Sequence, residues 1–250
     1  MAEPLHFYQA SFPQRPAYDA ALGRALLRAV ATGRAPESLR LHRPGDFVAF
    51  SGLDRASPGF AAAVAAARSA GFEAVLRLTG GRAAAAHGGA LAFSWCVPSA
   101  DPRRNIRARF ACAAAAIAGA LQSLGVDARV GAVPGEYCPG AFSVNAGGRI
   151  KLAGLAQRLS RGAAYLGGVI VVTGGSRIRR VLSPVYESLA LPWNPESAGA
   201  AEDEAPGLTC MAVAQALRAA LQRRRRLIAA EFSPALLREA AAAEAALQLP

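Results

Sequence analysis

Between Ser143 and Val172 the chain carries three strand patterns with no helical stretch between them. SVNAGGRIKLAG reads as a hairpin whose two strands join at Ala146–Gly148, and AAYLGGVIVV reads as a buried strand. Successive strands joined without a helix pair antiparallel, which rules out a purely parallel, doubly wound sheet. The other elements alternate irregularly. Residues 18–31 have helical periodicity. RLHRPGDFVAFSG reads as two short strands around a turn at Pro44–Gly45, and Ser57–Pro58 opens a helix through about Ala70. FEAVLRL is a strand, TGGRAAAAHGGA a glycine-punctuated loop, LAFSWCV a strand, 105–124 a long helix and DARVGAV a strand. The remainder, from about Ser176, reads as helical. This mixture predicts an α+β fold, a mixed or antiparallel sheet flanked by helices. The expectation is a single domain over residues 1–250 with a helical C-terminal region from about 205.

With 53% hydrophobic and 18% charged residues the chain is globular. Its formal charge of +11 would attract an acidic partner. The densest basic run, QRRRRL at 222–227, continues a helical pattern and has no interleaved aromatics, so no nucleic-acid binding is expected. The four cysteines match no metal-ligand spacing and form no CxxC, so no metal site is expected. The opening MAEPLHFYQASF lacks the pattern of a signal peptide, and ACAAAAIAGAL is too short to span a bilayer. A cytoplasmic protein with reduced thiols, no membrane attachment and a monomeric state is the expectation.

Three segments can carry chemistry. Arg77–Leu78–Thr79–Gly80–Gly81–Arg82, followed by His87, puts two glycines after a strand, as a tight turn or a close approach to a ligand requires. Arg77 reads as a structural partner. Neither GxGxxG nor GxxxxGK[ST] occurs here. In GEYCPG, residues 135–140, Cys138 lies in a loop, whereas Cys96, Cys112 and Cys210 lie in apolar strand or helix patterns. The third segment holds Lys151, the only lysine among 28 lysines and arginines. A lysine supplies a compact cation that arginine does not mimic. A loop followed by a hairpin can bring Lys151 to Cys138. A nearby ammonium favours the nucleophilic thiolate and can stabilise the oxyanion formed when sulfur attacks an acyl carbonyl.

These residues resemble a known superfamily. RLTGGRAAAAHGGALAFSWCVP resembles the glycine-rich lipoyl-binding loop of the lipoate–protein ligases and octanoyltransferases. IKLAGLAQRLSRGAAYLGGVIVV resembles their lysine segment, Lys-hydrophobic-Ala/Ser-Gly-x-Ala/Ser-Gln-Arg, which places Lys151 and Gly154 on its fixed positions. GEYCPGAFSVNAGGRIKLAG is most similar to the octanoyl-[GcvH]:protein amidotransferase branch, in which a loop cysteine precedes the lysine at this spacing. The resemblance spans about residues 40–200. It implies the biotin/lipoate-ligase (class II synthetase-like) fold. It implies that Cys138 carries an octanoyl or lipoyl group as a thioester and that Lys151 contacts the acyl carbonyl. It further implies that Gly80, Gly81 and Arg82, with His87 and Gly154, bind the acyl substrate. The donor would be a glycine-cleavage H protein or an acyl carrier protein, and the acceptor a lipoyl domain of a 2-oxoacid dehydrogenase. No metal or nucleotide cofactor is implied. Two other readings stay open: an ATP-dependent lipoate–protein ligase and a non-catalytic acyl-protein binder.

Overall fold

The computed structural model describes residues 4–250. Its first strand, β1 (Leu5–Tyr8), leads through α1 (Pro16–Ala31) to β2 (Ser38–His42), and β1 and β2 pair in parallel. α1 begins on Pro16, carries Asp19 in its first turn and Arg28 in its last, and buries one face of Ala, Leu and Tyr. β3 (Phe47–Phe50) follows the turn at Pro44–Gly45, but it is not the hairpin partner of β2. β2 is already paired on both edges, so β3 starts a second sheet.

α2 (Gly52–Arg55) is capped by a reciprocal Ser51–Asp54 box, and α3 (Phe60–Ser69) starts at Phe60 with Gly59 as N-cap, not at Ser57. Gly59 is required there: a Cβ would stand 1.8 Å from the Ser188 carbonyl oxygen. β4 (Glu73–Leu76) pairs with β3 in parallel and β5 (Ala84–Ala86) pairs with it antiparallel. β5 lies inside the segment expected to be wholly loop. Then come β6 (Ala90–Pro98), α4 (Ile106–Gln122), β7 (Ala128–Val130), β8 (Val144–Ala146), β9 (Ile150–Ser160) and β10 (Ala163–Val171). The predicted hairpin is present: β8 turns at Gly147–Gly148, both at positive φ, into β9, and β9 pairs antiparallel with β10.

The last part is α5 (Gly175–Ser188), α6 (Cys210–Gln222), β11 (Leu227–Ala229) and α7 (Pro234–Glu244). β11 corrects the all-helical expectation for this region. It pairs in parallel with β1 and forms the edge of the large sheet, whose order is β11-β1-β2-β6-β10-β9-β8-β7. The small sheet runs β4-β3-β5.

Three helix pairs complete the layers. α4 and α6 cover one face of the large sheet over Phe7, Leu39, Leu41, Leu152 and Leu166. α3 packs on α5 against the small sheet, and α1 packs on α7. The chain end docks on β4, where Leu249 N–H donates to Ala74 O at 3.0 Å. The two sheets leave a cavity between them, and the functional residues gather there.

Candidate active site

Cys138 sits in the loop between β7 and β8 with φ of +42°, a left-handed conformation that a non-glycine residue holds only when its surroundings impose it. Those surroundings are visible. Its N–H donates to the Tyr186 Oη at 2.7 Å, and that hydroxyl donates to the Ala83 carbonyl at 2.9 Å. α5 thereby ties the cysteine loop to the segment entering β5. Burial holds the Tyr186 phenol neutral by pushing its pKa far up.

The sulfur has two donors. The Arg82 backbone N–H lies 3.2 Å from Sγ and the Arg77 Nη2 lies 3.4 Å from it. Arg77 pairs with no carboxylate among the described residues, and its Nε has no hydrogen-bond partner. Its cation is therefore available to an anion forming at the sulfur. Gly81 makes this approach possible. It has φ of +100°, and a Cβ there would stand 2.4 Å from Arg77 Nη2 and 2.8 Å from Sγ. Ser51 fixes the Gly81 peptide by donating to its carbonyl at 2.6 Å, and Asp54 accepts the Ser51 N–H at 2.8 Å.

Lys151 occupies the second position of β9 and is 1% exposed. Its ammonium donates to the carbonyl oxygens of Tyr137 at 2.8 Å and Cys138 at 2.9 Å, and lies 4.7 Å from the Tyr137 ring centroid. Glu136 Oε2 stands 3.4 Å away, an ion pair without hydrogen-bond geometry. The other carboxylate oxygen, Oε1, accepts from Gly140 N–H at 2.8 Å and Ser143 Oγ at 2.9 Å. Burial lowers the Lys151 pKa, and Glu136 opposes that shift. The ammonium thus shapes the cysteine loop through its backbone, and the cation touching the sulfur is Arg77.

A cavity of about 160 Å³ opens beside these groups. Phe47, Ala49, Val75 and Ala84 of the small sheet form one wall, and β6, β9 and β10 of the large sheet form the other. Glycines keep the large-sheet wall low. A Cβ on Gly168 would meet the Gly154 carbonyl oxygen at 2.3 Å.

Of the residues singled out from sequence, Cys138, Lys151 and Gly154 line the cavity. Gly81 and Arg82 meet the sulfur without lining the cavity. A Cβ on Gly80 would meet nothing within 4 Å. His87 lies apart: it is 2% exposed, accepts the Gly89 N–H through Nδ1 at 3.0 Å and packs against Gly174. Burial keeps its pKa low. Arg77 lines the cavity although the sequence reading set it aside. Glu136 and Tyr186 were not singled out, and of these only Glu136, two positions before Cys138, left a local trace in the sequence. Among the described residues no group of three or more His, Cys, Asp or Glu is placed to hold a metal, and no helix is long and apolar enough to cross a membrane.

Comparison with known proteins bears on the family and the fold. Residues 15–191 match the family model for the lipoyl protein ligase A/B catalytic domain. An octanoyl-[GcvH]:protein N-octanoyltransferase of Geobacillus kaustophilus is 29% identical over 171 residues, 67% of this chain and 60% of that protein. The match therefore spans less than two thirds of the curated relative. Among solved structures, a lipoate-protein ligase A bound with ATP superposes with a TM-score of 0.79 at 18% identity, over 97% of this chain and 95% of that one. The bipartite lipoate protein ligase of Thermoplasma acidophilum gives 0.73 at 18% identity, over 97% and 92%. At such identities these structures establish the fold.

Proposed function

The chain belongs to the lipoyl protein ligase A/B catalytic domain family, and from that premise we propose that it moves an octanoyl or lipoyl group through a thioester on Cys138 to the lysine of a lipoyl domain. The observation that carries this reading is the sulfur's setting. A half-buried thiol lining the cavity between the sheets receives two N–H donors, one from a guanidinium with no carboxylate partner among the described residues.

In the first half-reaction the Cys138 sulfur attacks the acyl carbonyl of the donor, an octanoylated H protein or acyl carrier protein. The C–S bond forms, the carbonyl π pair moves onto oxygen, and the Arg77 and Lys151 cations lining the cavity stabilise that charge. Collapse expels the donor's amine or thiol, which takes up the proton lost by Cys138. In the second half-reaction the acceptor lysine attacks the thioester. The C–S bond breaks, and the departing sulfur accepts the Arg82 N–H and the Arg77 N–H while regaining a proton. The acyl group reaches the acceptor from the Cys138 thioester, so this route calls for no nucleotide or metal. The 29% identity to an octanoyltransferase supports the transferase over the ATP-dependent reading. The +11 charge suits acidic donor and acceptor domains. Four free cysteines suit a reducing compartment such as the cytoplasm.

The test is acyl transfer from octanoylated H protein to a lipoyl domain without ATP. Wild type is expected to transfer, and Cys138→Ala to lose at least a thousandfold. Transfer that requires ATP, or that survives in Cys138→Ala, would reject the thioester route.

A further inference from the structure

The large sheet has a second cavity on its other face, and acyl transfer gives it no role. Strand alternation along β6 turns Ser94 into the space between the sheets and Trp95 to the side that α4 and α6 cover. There Leu39 and Leu41 of β2 join Trp95 as the floor of a cavity of about 360 Å³. That volume lies within the range of small-molecule sites, about 300–1,000 Å³.

Small side chains open the space. α4 meets it through Cys112, Ala116 and Gly119, spaced four and three apart and so on one helix face. A Cβ on Gly119 would meet nothing within 4 Å. α6 contributes Leu217 and Ala220. Helices packed through larger side chains would close such a gap, because protein interiors fill to crystal-like density. From Cys112 to Gly119 the cavity follows roughly 10 Å of helix, so its long dimension suits a chain. Cys112 is exposed, which places the opening at that edge.

The walls are apolar and the rim is cationic. α6 ends at Gln222, and Arg223, Arg224 and Arg225 follow it along the cavity. Arg225 is committed: it donates to the two oxygens of the Glu37 carboxylate at 3.1 and 2.8 Å. Glu37 also accepts the Trp95 Nε1–H at 2.8 Å, which fixes the indole in the floor. Arg223 and Arg224 are exposed and form no ion pair among the described residues. A ligand that suits both features has an apolar body and an anionic end. A carboxylate matches the planar fork of a guanidinium.

We propose that this cavity binds the anion of a medium-chain fatty acid, with its chain between α4, α6 and the sheet and its carboxylate on Arg223 and Arg224. The site is separate from the acyl cavity and does not rest on the acyl-transfer reading.

Cys112 reports occupancy. The wild-type chain is alkylated with iodoacetamide in the presence and absence of octanoate, and peptide mass mapping reads the rates at Cys112 and Cys138 separately. Octanoate at several times its Kd is expected to slow alkylation of Cys112 about fivefold or more. Octanol, which lacks the charge, should need about tenfold more for the same protection. Arg223→Gln/Arg224→Gln should lose the protection at Cys112 without changing the effect at Cys138. Shielding of Cys112 but not Cys138 would support this site while counting against the acyl cavity. Cys112 left unprotected in wild type would overturn the site, even where Cys138 is shielded, because that shielding belongs to the acyl cavity. Equal protection by octanol, or protection that survives in the double variant, would overturn the carboxylate assignment and the proposal with it.

Discussion

A single buried ammonium organises the site at the scale of the residue. Lys151 holds the carbonyls of two successive residues, Tyr137 and Cys138, and faces a carboxylate that is itself buried. Replacing it by methionine keeps the volume but leaves Glu136 as an uncompensated buried charge, a change that costs about 3–5 kcal/mol. The companion change Glu136→Gln removes that charge and preserves acceptance from Gly140 and Ser143. The expected outcome is that Lys151→Met unfolds at markedly lower denaturant, that Lys151→Met/Glu136→Gln recovers most of the loss, and that both remain inactive. Recovery of transfer in the double variant would mean that the lysine only supports the fold. A preference for lysine over arginine also follows, since a broad guanidinium cannot fit a site that is 1% exposed without displacing the cysteine loop.

Among the elements, α5 acts on the site through Tyr186. Its hydroxyl joins the Cys138 N–H to the Ala83 carbonyl and so couples a helix, the cysteine loop and β5. Tyr186→Phe orphans two backbone groups in a buried setting, at about 1–3 kcal/mol each. It is expected to lower the melting temperature by roughly 2–4 °C per kcal/mol lost, and to slow acylation of Cys138 more than octanoate binding. Unchanged acylation would show that the strained φ of Cys138 is set elsewhere. The elements also show how far the sequence could be read. α1, α4 and the β8–β9 hairpin were legible because their apolar periods are long and their turn is marked by paired glycines. β5 and β11 were not: three residues of Ala-Ala-Ala or Leu-Ile-Ala carry no period, and only partner strands make them strands. Cys138 and Lys151 stood out because they lie close in sequence. Arg77 is 61 positions from the sulfur it touches, and Asp19 and His42 meet only through tertiary packing, so no local pattern announces them.

Two histidines set the acid limit of the whole molecule. His42 and His87 both have folded pKa values below the ordinary 6.5, chiefly through burial, with Arg40 adding to the shift at His42 and Arg177 at His87. Below pH 6.5 the unfolded chain therefore binds protons that the folded chain refuses. Stability is full above that pH and falls as the pH drops through it, by up to about 1.4 kcal/mol per unit for each histidine. Asp46 and Glu202 soften the shift at His87. Asp19 works in the opposite sense at lower pH, because burial raises its pKa above the ordinary 3.8 against the pull of Arg40. Denaturant midpoints should hold between pH 7.5 and about 6.5 and fall from there to pH 5.5, and His42→Phe should flatten that fall; a midpoint independent of pH would contradict the buried, neutral histidines.

The central claim is that Cys138 becomes acylated, and intact-protein mass spectrometry reads this directly. The chain is incubated without ATP with octanoylated H protein, and separately with octanoyl acyl carrier protein. A single hydroxylamine-labile octanoyl adduct on wild type, absent from Cys138→Ala, is the expected result. No adduct from either donor, or the same adduct on Cys138→Ala, would contradict the account.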